Sequence, residues 1–174
     1  NRSKTYVNKV LKTISGEYYK NYQINKIQRN TNGVKIYYGE KNEFFDYDKV
    51  VIATHANEAL SLIETPTKEE KEILTNFSYR ENLAIIHTDE NIMPKNKKVW
   101  SSWNSFVDPK NINKNMLTYW LNLLQNLKKE KNIFLTLNPT KKISDDKILK
   151  KVIFTHPYYD QIALDNQIKL KNLQ

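Results

Sequence analysis

Three histidines, His55, His87 and His156, are the side chains of this 174-residue chain best suited to moving a proton near neutral pH. Each closes an apolar run, and they are far apart in sequence. Local hydrogen bonding at a strand end accounts for each of them, and their spacing has no zinc-ligand pattern. His87-Thr88-Asp89 sets a carboxylate two residues from an imidazole, a pairing that acid–base chemistry uses. A polar strand end explains the same triplet. Asp145-Asp146 precedes a helical or strand-like run and reads as capping. The aromatic group Trp100, Trp103, Tyr119 and Trp120 either fills a core or forms a wall for a flat ligand or apolar substrate. Strand alternation sends Trp100 and Trp103 to opposite faces, and likewise Tyr119 and Trp120. Self-contained catalytic motifs are missing: no Gly-rich phosphate loop, no His-Glu-x-x-His, no Gly-x-Ser-x-Gly. The lack of cysteine excludes disulfides, thiolate metal sites and cysteine nucleophiles.

The elements that must position these residues follow from periodicity. Tyr6, Val7, Val10, Leu11 and Ile14 recur at helical spacing, and Gly16 is the expected stop. Three β-type runs follow: 22–27, 34–38 after the Asn32-Gly33 turn, and 43–47 after Gly39. Lys49 to Thr54 is a continuous apolar run ending at small residues, which predicts a central strand of a parallel sheet. A helix over 57–63 comes next, and then Thr67-Lys68-Glu69-Glu70 as a capping box opening another. Runs at 83–87, 99–103, 116–120 and 133–137 predict a separate antiparallel sheet. They are broken by loops bearing Met93-Pro94, Asp108-Pro109 and Asn138-Pro139. Leu121 to Leu127 reads as a short helix and 152–156 as one more strand. Asp160 to Leu173 reads as an amphipathic helix burying Ile162, Ala163, Gln167, Ile168 and Leu170.

Composition narrows the partners. The chain is 39% hydrophobic and 27% charged, enough to bury a core of ordinary domain size. No apolar run approaches the length of a membrane span, and no apolar region follows Asn1-Arg2-Ser3-Lys4 to make a signal peptide. These features, with the absence of cysteine, fit a cytoplasmic protein. The net charge of +9 invites a nucleic-acid partner. Yet the basic residues are scattered lysines with only three arginines, Arg2, Arg29 and Arg80, and phosphate recognition favours arginine's planar fork. The expected partner is a small molecule, not nucleic acid.

The run Lys49-Val50-Val51-Ile52-Ala53-Thr54-His55-Ala56-Asn57-Glu58-Ala59-Leu60, with Pro66-Thr67 and Glu70 after it, resembles a bacterial family of NAD/FAD-binding oxidoreductases. That family lies in the flavin-containing amine oxidase superfamily. The likeness continues through Phe77 to Asn82, His87-Thr88-Asp89, Met93-Pro94, and Trp100-Ser101-Ser102-Trp103-Asn104. It extends to Thr118-Tyr119-Trp120-Leu121-Asn122, Leu135-Thr136-Leu137-Asn138-Pro139 and His156-Pro157. Ser3-Lys4-Thr5-Tyr6-Val7 also looks like the family's serine–basic–x–Tyr–Val stretch.

The resemblance implies a mixed α/β fold: part of a FAD-binding Rossmann-like domain plus an antiparallel substrate domain. Its implied limits are residues 1–60 for the partial FAD domain, 61–151 for the substrate domain, and 152–174 for a strand and helix returning to the first. It also implies an internal piece of a larger protein, since the family's Gly-x-Gly-x-x-Gly fingerprint and Gly-rich closing segment are absent. FAD is the implied cofactor, and missing N- and C-terminal parts of the same protein are implied partners. Ile24-Asn25-Lys26-Ile27 fits the superfamily's adenine-passing strand, with Ile24 touching adenine through its backbone. Ala53 and Thr54 would lie on the adenosine–pyrophosphate side, at a strand's carboxyl end. Trp100, Trp103, Tyr119 and Trp120 become candidates for the substrate wall. The expected function is FAD-dependent oxidation, with flavin taking a hydride from a C–N or C–C bond of an apolar or amine substrate. The isolated piece is expected to be inactive. No general base can be assigned. Two alternatives stand beside it: a non-enzymatic binding module on the same scaffold, and a basic nucleic-acid-binding domain.

Overall fold

The computed structural model describes residues 2–108, 111–128 and 130–173. The Pro109 half of the expected Asp108-Pro109 loop lies outside them. The chain divides into two compact units, residues 1–76 with 165–174, and residues 77–164.

The first unit opens with α1 (Arg2–Leu11), which ends five residues before Gly16. Strands β1 (Ile24–Asn30), β2 (Gly33–Tyr38) and β3 (Glu43–Tyr47) form an antiparallel meander in that order. The Asn32-Gly33 turn joins the first two, as expected from its chemistry. A Cβ on Gly33 would come within 2.4 Å of the Tyr47 carbonyl oxygen, so only glycine fits there. One face of the meander carries an aromatic stack: Tyr38 and Phe45 lie 4.8 Å apart, and Tyr19 lies 5.3 Å from Phe45. Helices α2 (Ala56–Leu62) and α3 (Lys68–Leu74) follow. Thr67 and Glu70 complete the capping box in both directions. Arg29 on β1 reaches the same Glu70 at 2.7 Å and the Thr65 carbonyl at 2.7 Å, tying the sheet to the helix pair. Among the described residues of this unit, Ile27, Ala59 and Ile73 are the buried apolar ones.

Residues 49–54 do not form the expected central strand. No ladder pairs them among the described residues, and Val51 is 91% exposed. A continuous apolar run becomes a buried strand only where neighbouring strands satisfy both of its edges. In this unit β1 and β3 are the sheet edges, and the parallel contact on β1 is an isolated bridge from Ile27 to Ile63.

The second unit is built on a five-stranded antiparallel sheet. Its strands are β4 (Ser78–His87), β5 (Trp103–Asp108), β6 (Asn111–Trp120), β7 (Phe134–Leu137) and β8 (Ile148–Tyr158). The order is β5-β6-β7-β4-β8. Helix α4 (Leu121–Leu124) leaves β6 where a short helix is expected. The mixed helix-and-strand class is as expected. Residues 61–76 belong to the first unit and 152–164 to the second. Strand β8 pairs with β4 from Ile148 to Tyr158, so the strand expected to return to the first unit stays in this sheet. Helix α5 (Gln161–Lys169) follows and crosses the boundary between the units. Within α5, Ala163 is buried as expected, but Asn166 is the other buried residue and Ile162 and Ile168 are exposed.

Register sorts the second sheet into two faces. On the first, Ile85, Thr136, Thr118 and Asn104 form one row, and His87, Phe134 and Trp120 another. Ile92 and Ile143, from the loops after β4 and β7, cover this face and pack with Ile85 and Met116 into the unit's core. On the second face, Val152, Ala84, Leu137 and Leu117 form one row, and Ile86, Leu135, Tyr119 and Trp103 the next.

Candidate functional site

Segment 99–103 is not a strand. A 3₁₀ turn covers Lys97–Val99, and β5 begins only at Trp103. The cause is Asn104, whose side chain accepts from the Ser101 amide at 3.1 Å and donates to the Ser101 carbonyl at 2.7 Å. That closed turn uses the backbone groups a strand would have offered a neighbour.

The four aromatic candidates therefore divide. Trp100 and Trp120 sit on the first face, 5.4 Å apart and edge-on. Trp100 donates its indole N–H to the Pro94 carbonyl at 2.8 Å and lies 5.7 Å from the fully buried Phe134. Trp120 donates to Asn132 at 2.9 Å. Both are tied into the covered side of the sheet. Trp103 and Tyr119 sit on the second face with rings 5.2 Å apart. Trp103 is 60% exposed, and Leu117, Leu135, Leu137, Ile86 and Val152 around this pair are only half-buried. This face is a broad apolar surface bearing an aromatic pair.

The first face holds a polar chain that the sequence did not reveal. His87 is fully buried. The Asp89 amide donates to its Nδ1 at 3.1 Å, so Nδ1 is an acceptor and the proton sits on Nε2. That Nε2 lies 2.8 Å from the Thr136 hydroxyl, which lies 2.9 Å from the Thr118 hydroxyl. Burial pushes the imidazole below its ordinary value, and the Asp89 carboxylate only partly restores it. His87 and Asp89 are not an acid–base pair. The carboxylate turns instead to the Ser144 amide at 3.0 Å, the Asn91 amide at 3.1 Å and the Lys147 ammonium at 3.1 Å. The polar strand end is the correct reading of this triplet.

A pH dependence follows. Protonating Nδ1 would set an N–H against the Asp89 amide. Because the folded pKa lies below the unfolded value of about 6.5, the neutral ring's contribution is whole above that pH. It is lost as pH falls from there through the folded value. We expect a lower melting temperature at pH 5.5 than at pH 7.5 and a smaller difference in His87→Gln. An equal drop in both proteins would show that another group titrates.

Ile24 opens β1 opposite Tyr38, partly exposed. Ala53 and Thr54 are exposed in the irregular stretch before α2, and the Thr54 hydroxyl donates to the His55 carbonyl at 3.2 Å. Among the described residues no hydrogen bond joins Ile24 to Ala53 or Thr54. No metal-binding group of three or more His, Asp or Glu side chains occurs among them. Asp145 belongs to a 3₁₀ turn, Asp145–Lys147, whose cap is Ser144. Among these residues no helix is long and apolar enough to cross a membrane.

A polar corner closes the second face. Arg80 and His156 are Cα partners across β4 and β8. The Arg80 guanidinium lies 3.3 Å over the Tyr158 ring. His156 Nδ1 lies 3.1 Å from the Asn82 amide nitrogen, and Asn138 donates to Asn82 at 2.7 Å. Phe154, 6.0 Å from His156, leads from this corner to the apolar rows.

No family model and no curated protein matches the sequence. Among solved structures, the chain is similar to a CLA-producing fatty acid isomerase from P. acnes, with a TM-score of 0.64 and 12% identity. The likeness covers 98% of this chain and 44% of the isomerase chain, so this chain spans less than half of that protein's length. It is a likeness of fold.

Proposed function

We propose that this chain is the middle part of a FAD-dependent oxidoreductase of the amine oxidase type, acting on an apolar or amine substrate. The observation that carries the substrate side is the second face of the five-stranded sheet, half-exposed and apolar around Trp103 and Tyr119. A sheet that only packed a core would seal both faces or make the outer one polar. The similarity of fold to a fatty acid isomerase supports an apolar substrate surface. Trp103 and Tyr119 are the residues we assign to it. Trp100 and Trp120 support the sheet from its covered side.

Bound FAD supplies the redox chemistry by accepting a hydride. In this reading the chain meets that cofactor at one end only, with Ile24 on the adenine and the exposed Ala53 and Thr54 on the adenosine side. The glycines stand singly at 16, 33 and 39, and Gly33 is used by a hairpin, so these residues build no phosphate cradle. In this reading the phosphate-binding fingerprint is supplied by other parts of the same protein, and the 174 residues alone bind FAD weakly and are inactive.

The coding DNA on either side of this segment tests the reading. An in-frame Gly-x-Gly-x-x-Gly upstream and a Gly-rich segment downstream are expected. The longer protein should then show flavin absorption in the visible. Start and stop signals at the two ends would instead favour the binding module, to which the missing phosphate cradle also points. Stoichiometric FAD and turnover in the 174-residue chain would overturn the division of labour proposed here.

A further inference from the structure

We propose that the Arg80–His156 corner binds the carboxylate of a long-chain amphipathic acid whose hydrocarbon chain lies along the second face of the sheet. This rests on the reading of that face as a substrate surface and adds the head group. Among the described residues Arg80 forms no ion pair. Its guanidinium stacks on Tyr158 instead, at 3.3 Å, a contact that orients the planar fork and leaves its N–H edge for an anion.

His156 is oriented by a relay. The Leu83 amide donates to Asn138 Oδ1 at 3.0 Å, so the Asn138 amide nitrogen is the end that donates to Asn82 Oδ1, at 2.7 Å. Asn82 must then present its own amide nitrogen to His156 Nδ1, 3.1 Å away. An amide N–H can only donate, so the neutral imidazole carries its proton on Nε2. Asn138 holds this position with a positive φ of 47°. The corner thus offers the guanidinium fork of Arg80 and the Nε2 N–H of His156 from neighbouring strands. Both are suited to a carboxylate.

The apolar part begins beside it at Phe154. The row of Ile86 and Trp103 lies six residues along the sheet from the Arg80 row, about 20 Å at ordinary strand rise. Lys150 stands opposite Ile86 at the far end, so the strip carries a cation at each end, and the His156 N–H beside Arg80 is what sets the acidic head of an extended acyl chain at this corner.

The test uses tryptophan quenching by 9,10-dibromostearate, below its micelle concentration, with its methyl ester as the head-group control. The acid should bind about tenfold more tightly than the ester, the scale of one charge-assisted hydrogen-bonded contact. Arg80→Gln should erase that difference and leave ester binding unchanged, while Arg80→Lys should keep part of it. Lys150→Gln, which removes another cation of the same face, should leave it intact. Trp103→Phe should remove most of the quenching. Equal binding of acid and ester, no quenching, or an Arg80→Gln variant that still prefers the acid would each overturn the proposal. Flavin absorption of the longer protein reports separately on the oxidoreductase reading. Head-group selectivity without flavin would leave the corner assigned and the enzyme discarded.

Discussion

Replacing Asp89 with alanine should destabilise the second unit by about 3 kcal/mol, the lower end of the range for removing one partner of a buried ion pair. Asp89 is 2% exposed. Burial works to raise its pKa, but the Ser144 and Asn91 amides and the Lys147 ammonium outweigh it and hold the carboxyl below its ordinary value. The substitution leaves those two amides without their acceptor. Lys147 is partly exposed and can turn to water, which is why the low end applies. The loops involved matter more than the pair itself. Asn91 and Ser144 belong to the segments that carry Ile92 and Ile143 onto the first face. Loss of the carboxylate therefore loosens the core's cover as well as an ion pair. Since the folded pKa is depressed, the contribution is present above about pH 4 and lost as pH falls through the folded value. Urea unfolding at pH 7 measures the difference. A loss below about 1 kcal/mol would mean that water replaces these contacts without strain.

Local chemistry was readable from sequence. The Asn32-Gly33 turn and the Thr67–Glu70 capping box act within four residues, and both occur as read. What failed needed distant partners. The apolar content of 49–54 states that the segment prefers burial, but among the described residues no strand pairs with it, and Val51 faces solvent. Residues 152–156 read as a strand, and they lie inside the longer β8, Ile148–Tyr158. Their partner, β4, is some 70 positions earlier in sequence, and alternation alone carries no information on it. At 99–103, β-type residues were outweighed by one side chain, Asn104, whose bonds to Ser101 close a turn.

The candidate site was half legible for the same reason. Strand parity separates Tyr119 from Trp120, and the structure keeps them on opposite faces. Trp100 and Trp103 are also separated, although Trp100 lies outside any strand. Parity could not say which face is covered. That depends on Ile92 and Ile143, which sit in connections on either side of three intervening strands, β5, β6 and β7. Arg80, Asn82, Asn138 and His156 come from three places in the chain, and only register joins them. His156 was visible as a strand-end histidine, and its proton's position follows from Asn138 and Asn82.

The burial of the first face around Phe134, against the exposure of Trp103 on the second, makes Phe134→Ala the second large effect, at about 3 to 5 kcal/mol. Phe134 is fully buried, 5.5 Å from His87 and 5.7 Å from Trp100. Its removal leaves a cavity between the polar chain and the indole that the surrounding strands cannot close, because β4, β6 and β7 hold one another in register there. Trp103→Ala removes more atoms but from a side chain already 60% exposed, so its effect on stability should stay below about 1 kcal/mol. The ordering of these two losses, read by urea unfolding, separates the faces without reference to any ligand. If Trp103→Ala proved as damaging as Phe134→Ala, the second face would be part of the folded core, and no substrate could lie there.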